Sequence, residues 1–182
     1  MSNPVDAIES AFLRCEVLSR ILAQAKNRVL SNPTDQFAIS LGITMRGERR
    51  QEATKKIDQV FEQLDGLLVH LTLLDITASF ELAFRERLKN AVGEARKAVR
   101  ENYSLSALSI VRESLVHEVE HYQGIGGIQT LLGPHVDEAL LAKLQIIRQN
   151  RNQFTHGTAV EVLPTVQIAD ALQALREIAA LM

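Results

Sequence analysis

From about Arg49 to Val99 the chain repeats apolar residues at helical spacing: Ile57, Val60, Phe61, Leu64, Leu68 and Leu71, then Phe80, Phe84, Leu88, Val92, Ala95 and Val99. Residues three and four apart share one face of an α-helix, whereas strand side chains alternate with period two. The pattern therefore predicts helix throughout and leaves no room for a strand. Its length exceeds that of a typical globular helix. A break or bend is expected near Asp75-Ile76-Thr77-Ala78-Ser79, where short polar side chains compete for backbone hydrogen bonds.

The flanking segments follow the same period. Asn3-Pro4 reads as an N-cap with proline in the first turn, followed by a stripe of Val5, Ile8, Phe12, Cys15, Leu18, Leu22 and Val29. Ser31-Asn32-Pro33-Thr34 ends that helix, and a loop is expected as far as Gly47. Arg46, Arg49, Arg50, Lys55 and Lys56 make the next stretch basic, diluted by Glu48 and Glu52. After a second break at Asn102 to Ser106, Leu105, Leu108, Val111, Leu115, Val119 and Tyr122 form another stripe, which Gly124-Ile125-Gly126-Gly127 is expected to close. Those glycines are not a phosphate loop, because no strand precedes them and no Gly-Lys-Ser/Thr follows. Gly133-Pro134 is expected to open the next helix, with Val136, Leu140, Leu144 and Ile147 inward and a stop at His156-Gly157. Thr165 is expected to cap a last helix bearing Val166, Ala169, Leu172, Leu175 and Ile178. The expected fold is all-α: residues 1–182 as one single-domain bundle of five to six helices.

Composition narrows the function. With 46% hydrophobic and 23% charged residues, the chain has the make-up of an ordinary globular protein. A net charge of -2 means that any nucleic-acid contact must use a local basic patch. Cys15 is the only cysteine, which excludes an internal disulfide and suggests a reducing compartment. The N-terminal Met-Ser-Asn-Pro has neither region of a signal peptide, and no uninterrupted apolar run approaches a membrane span. The expected setting is cytoplasmic, with no membrane association.

Two constellations carry chemistry. His117-Glu118-Val119-Glu120-His121 matches the HExxH pattern, in which two imidazoles one helical turn apart hold zinc and the glutamate acts as base. Glu120 puts a charge where such sites usually carry an apolar residue, and Gly127 stands where a longer version needs a third histidine. A zinc hydrolase is accordingly the third reading. The stronger signal is Arg148-Gln149-Asn150-Arg151-Asn152-Gln153-Phe154-Thr155-His156-Gly157. Arginine presents a fork of donors that keeps its charge, and histidine exchanges a proton near neutral pH. Together they can break a phosphodiester without a metal. The same arginine–histidine spacing recurs at Arg112 and His117, but without the following asparagine and glycine.

Arg151-Asn152-Gln153-Phe154-Thr155-His156-Gly157 resembles the Arg-Asn-x-x-x-His-Gly motif of the HEPN superfamily, named for its occurrence in higher eukaryotes and prokaryotes. Ser79-Phe80-Glu81-Leu82 is similar to the acidic position on an inner helix of several branches. One branch, paired with a nucleotidyltransferase antitoxin, has tyrosine two residues after the histidine, where this chain has Thr158. The resemblance implies an all-α, metal-independent endoribonuclease of a toxin–antitoxin or antiviral defence system. It implies RNA as substrate, a homodimer, an antitoxin or other defence partner, and no cofactor. Arg151 would hold the scissile phosphate, His156 would transfer the proton, and Asn152 would orient either. Arg148 and Thr155 would add substrate contacts, and Glu81, either exposed or reaching toward an arginine elsewhere, would be a supporting residue. Five positions along a regular helix turn by roughly 140°, so Arg151 and His156 cannot face one target from one straight helix. Either the helix unwinds near Thr155 or a partner subunit completes the site. The second reading is a non-catalytic binding or scaffolding module of the same fold.

Overall fold

The computed structural model describes residues 4–32, 36–43, 50–102, 125–156 and 167–181. Within them the chain is all-α, with six helices and no strand. These are α1 (Pro4–Ser31), α2 (Gln36–Ser40), α3 (Arg50–Asn102), α4 (Ile125–Leu132), α5 (Glu138–His156) and α6 (Ile168–Ala180). The apolar stripe at 105–122, Arg46, Arg49, Arg112, the His117–His121 pattern, Gly157 and Thr158 lie outside the described residues. The last helix starts at Ile168 with Gln167 as its N-cap and no side-chain capping bond, which corrects the cap expected at Thr165.

Helix α3 is one continuous element of 53 residues, so the chain does not break at 75–79. The hydroxyl of Thr77 donates to the carbonyls of Leu73 at 2.7 Å and Leu74 at 3.0 Å. Thr72 donates to Leu68 at 2.7 Å. These side chains satisfy themselves on carbonyls of the preceding turn, so they join the helix ladder instead of interrupting it. By length and composition alone α3 could cross a membrane, contrary to the sequence expectation, but 44% of its most apolar stretch is buried inside the protein.

The chain divides into two compact units, Met1–Ala11 with Leu73–Met182, and Phe12–Thr72. In the second, Val29, Ala38, Ile43, Ile57 and Phe61 form a buried cluster. Helix α2 occupies part of the expected loop. It ends in a left-handed glycine, Gly42 at φ 76°, whose N–H donates to Ile39 while that of Ile43 donates to Ala38. This is the glycine-terminated helix end, with Ile43 buried as its apolar anchor. A five-residue helix is too short to show a period, which is why the sequence pattern missed it. Lys26 pairs with Asp58 at 2.9 Å, and that hydrogen bond raises the lysine pKa above its ordinary 10.5. The same unit leaves Leu13, Val17 and Ile21 exposed at four-residue intervals on α1.

In the first unit the core draws Ile76, Phe80 and Phe84 from α3, Ile125 and Ile128 from α4, Leu144 and Ile147 from α5, and Leu172, Leu175 and Ile178 from α6. Burying a side chain of this size contributes about 1.5–3 kcal/mol. α4 packs on α5, and α5 on α6. Asp137 caps α5: its Oδ1 accepts the Leu140 N–H at 2.7 Å. Gly133-Pro134 consequently closes α4 and does not open α5, with Gly133 donating to Gln129 and His135 to Leu132. Gly126 and Gly127 lie inside α4, which corrects their reading as a helix stop. Burial of Ile125 and Ile128 against the core outweighs the weak helix propensity of two glycines, about 1 kcal/mol each.

Candidate functional site

Helix α5 carries the motif residues from Arg148 to His156, and α3 supplies the acidic partner. Arg148 and Arg151 are three positions apart and share a face. Asn152 and Thr155 are exposed, and Arg148 is half-buried. The Thr155 hydroxyl donates to the Arg151 carbonyl at 2.7 Å, keeping the last turn helical. The helix runs unbroken through His156, so the unwinding considered near Thr155 does not occur. Position 156 lies roughly 140° around the axis from position 151. One copy of α5 thus does not bring Arg151 and His156 onto one face.

What the fold does bring together is Arg151 and Glu81, seventy positions apart in the chain. Arg151 Nη1 donates to Glu81 Oε1 at 2.9 Å, and Nη2 donates to Oε2 at 3.2 Å. Oε1 also accepts the backbone N–H of Ile125, the first residue of α4, at 2.9 Å. Glu81 is 6% exposed and is the one buried charged side chain among the described residues. A buried carboxylate is tolerated only when paired and hydrogen-bonded, and this one is both. Its negative charge also stands at the positive end of the α4 dipole. Glu81 therefore ties three helices, α3, α4 and α5, at a single carboxylate.

This grip leaves Arg151 with chemistry to spare. A guanidinium has five N–H donors, and Glu81 uses one from each Nη. The side edge, Nε–H with the neighbouring Nη–H, remains a second fork for an anion. The Arg151 side chain as a whole is 29% exposed.

Arg148 is held differently. A Cβ built on Gly126 would stand 2.9 Å from Arg148 Cζ, 3.0 Å from Nη1 and 3.2 Å from Nε. The guanidinium lies against the α4 backbone at the one residue type that leaves room for it. Among the described residues Arg148 forms no ion pair. Sequence reasoning named Arg148 and Glu81 but missed Gly126, which it took for a helix terminator. No signal in a single sequence separates the two roles.

Among the described residues no three His, Cys, Asp or Glu side chains gather to hold a metal ion. The His117–His121 pattern falls outside them. No family model, curated protein or solved structure matches the chain.

Proposed function

We propose that the protein is a HEPN-like, metal-independent endoribonuclease, acting as a homodimer in the cytoplasm as part of a defence or toxin–antitoxin system. The observation that carries this reading is the Glu81–Arg151 pair, which orients a motif arginine through its two Nη groups and leaves its side edge for a phosphate. The family resemblance named both residues, and nothing in their sequence separation requires them to meet.

In the proposed reaction the 2′-hydroxyl of RNA attacks the adjacent phosphorus. Its proton passes to a histidine, the bond from phosphorus to the 5′-oxygen breaks, and that oxygen takes a proton from an acid. The products are a 2′,3′-cyclic phosphate and a free 5′-hydroxyl. His156 serves as base or acid, a role that typically contributes roughly 10²–10⁴-fold. Arg151 stabilises the charge that builds on the phosphoryl oxygens. Because α5 is regular through His156, the histidine facing a given Arg151 comes from the second copy, across a two-fold interface. Asn152 and Thr155 are exposed on the same turns, which supports their contacting the RNA strand in this reading.

The test is cleavage of RNA in EDTA by wild type, Arg151→Ala and His156→Ala, with light scattering on the same samples. Metal-independent cleavage by a dimer, lost in both variants, is the expected result. Cleavage unchanged by either substitution, or a wild type that is monomeric at micromolar concentration, sinks the mechanism. The second reading, a non-catalytic module, is favoured by the same ion pair: Arg151 there serves only to hold α4 through Glu81. It predicts no cleavage of any RNA and a loss of stability in Arg151→Ala.

A further inference from the structure

The contact between Gly126 and Arg148 has no part in the Glu81 grip. We infer that Gly126 is a seat for the Arg148 guanidinium, and that Arg148 so seated binds a second backbone phosphate of the same RNA strand that Arg151 engages. This deepens the reading above and rests on its RNA-binding half.

Three features of the site carry the inference. First, both guanidiniums come to the same end of the same helix. Arg151 reaches it through Glu81 Oε1, which also holds the Ile125 N–H, and Arg148 lies on the next residue, Gly126. Second, among the described residues two guanidiniums meet one carboxylate there, an excess of one positive charge to which the α4 dipole adds. Third, a guanidinium packed on backbone is pre-organised, and less side-chain freedom is lost when it binds. Two planar forks one helical turn apart suit a ligand with consecutive phosphates. That describes a single-stranded nucleic-acid backbone and disfavours a nucleoside monophosphate or a simple carboxylate as the preferred ligand.

Gly126→Ala is the informative variant. The added methyl meets only the far end of a flexible side chain, and alanine favours helix, so the fold is kept while the guanidinium is pushed away. The probe is a fluorescent single-stranded 2′-O-methyl RNA, which lacks the nucleophile and separates binding from cleavage. Anisotropy titrations across a salt series on wild type, Gly126→Ala and Arg148→Ala read both affinity and the number of phosphate contacts. Each variant is expected to bind about tenfold more weakly, with the salt slope reduced by about 0.7, the value of one single-strand phosphate contact. Wild-type binding retained in Gly126→Ala with unchanged circular dichroism overturns the seat. Wild-type binding retained in Arg148→Ala overturns the phosphate role, and a wild type that does not bind the probe overturns both. Arg148-dependent binding without cleavage of natural RNA upholds the inference and refutes the nuclease reading.

Discussion

Glu81 offers the sharpest test of how this fold is held. Glu81→Ala removes both oxygens that receive the Arg151 fork and leaves the Ile125 N–H without its acceptor. Removing one partner of a fully buried ion pair costs about 3–5 kcal/mol. Arg151 is 29% exposed and regains water when released, so the figure is discounted to about 2–4 kcal/mol. Arg151→Ala leaves the buried Glu81 carboxylate with its backbone donor but without its counter-charge, and is expected to cost at least as much, about 3–5 kcal/mol. Because both variants break the same interaction, the double variant should be less destabilised than the sum, with a coupling of about 1–2 kcal/mol. Urea denaturation followed by far-UV circular dichroism measures all four corners of the cycle. For a chain of this size, 2–4 kcal/mol corresponds to a fall in Tm of about 4–16 °C. Additivity within about 0.5 kcal/mol would show that the two side chains do not interact in solution and would refute the clamp.

Two further outcomes follow from local geometry. Asp137→Ala removes the N-cap of α5 and is expected to lower stability by about 1 kcal/mol, read as a shift in the urea midpoint, with Asp137→Ser retaining most of it. Lys26 has its pKa raised above the ordinary 10.5 chiefly by the hydrogen bond it donates to Asp58. A raised folded-state pKa contributes stability that is present below 10.5 and lost as pH climbs through the higher folded value. Alkaline denaturation above that point should therefore be less steep in Asp58→Asn, and identical curves would refute the linkage.

The helical period of α1, α3, α5 and α6 was legible because each buries one face, and burial writes a 3.6-residue repeat into the sequence. The stop of α1 at Ser31 was equally legible, because proline acts locally. α2 and α4 were not. α2 is too short for a repeat, and α4 contains two glycines whose poor propensity is overridden by the burial of Ile125 and Ile128. Thr77 was read as a helix breaker because a threonine hydroxyl can serve either a turn or the preceding helical turn, and only packing selects between them. The motif arginines and Glu81 could be named from residue type and resemblance. Their geometry could not, since a pair seventy positions apart is set by how α3 and α5 dock. The chain alone therefore determined an all-α protein with an arginine–histidine motif at a helix end. The tertiary structure decided which donors of Arg151 are occupied, where Arg148 rests, and that a glycine inside α4 makes room for it. The physical reason is range: helix period and termini come from neighbours in sequence, whereas a shared carboxylate and a fitted guanidinium come from contacts between helices.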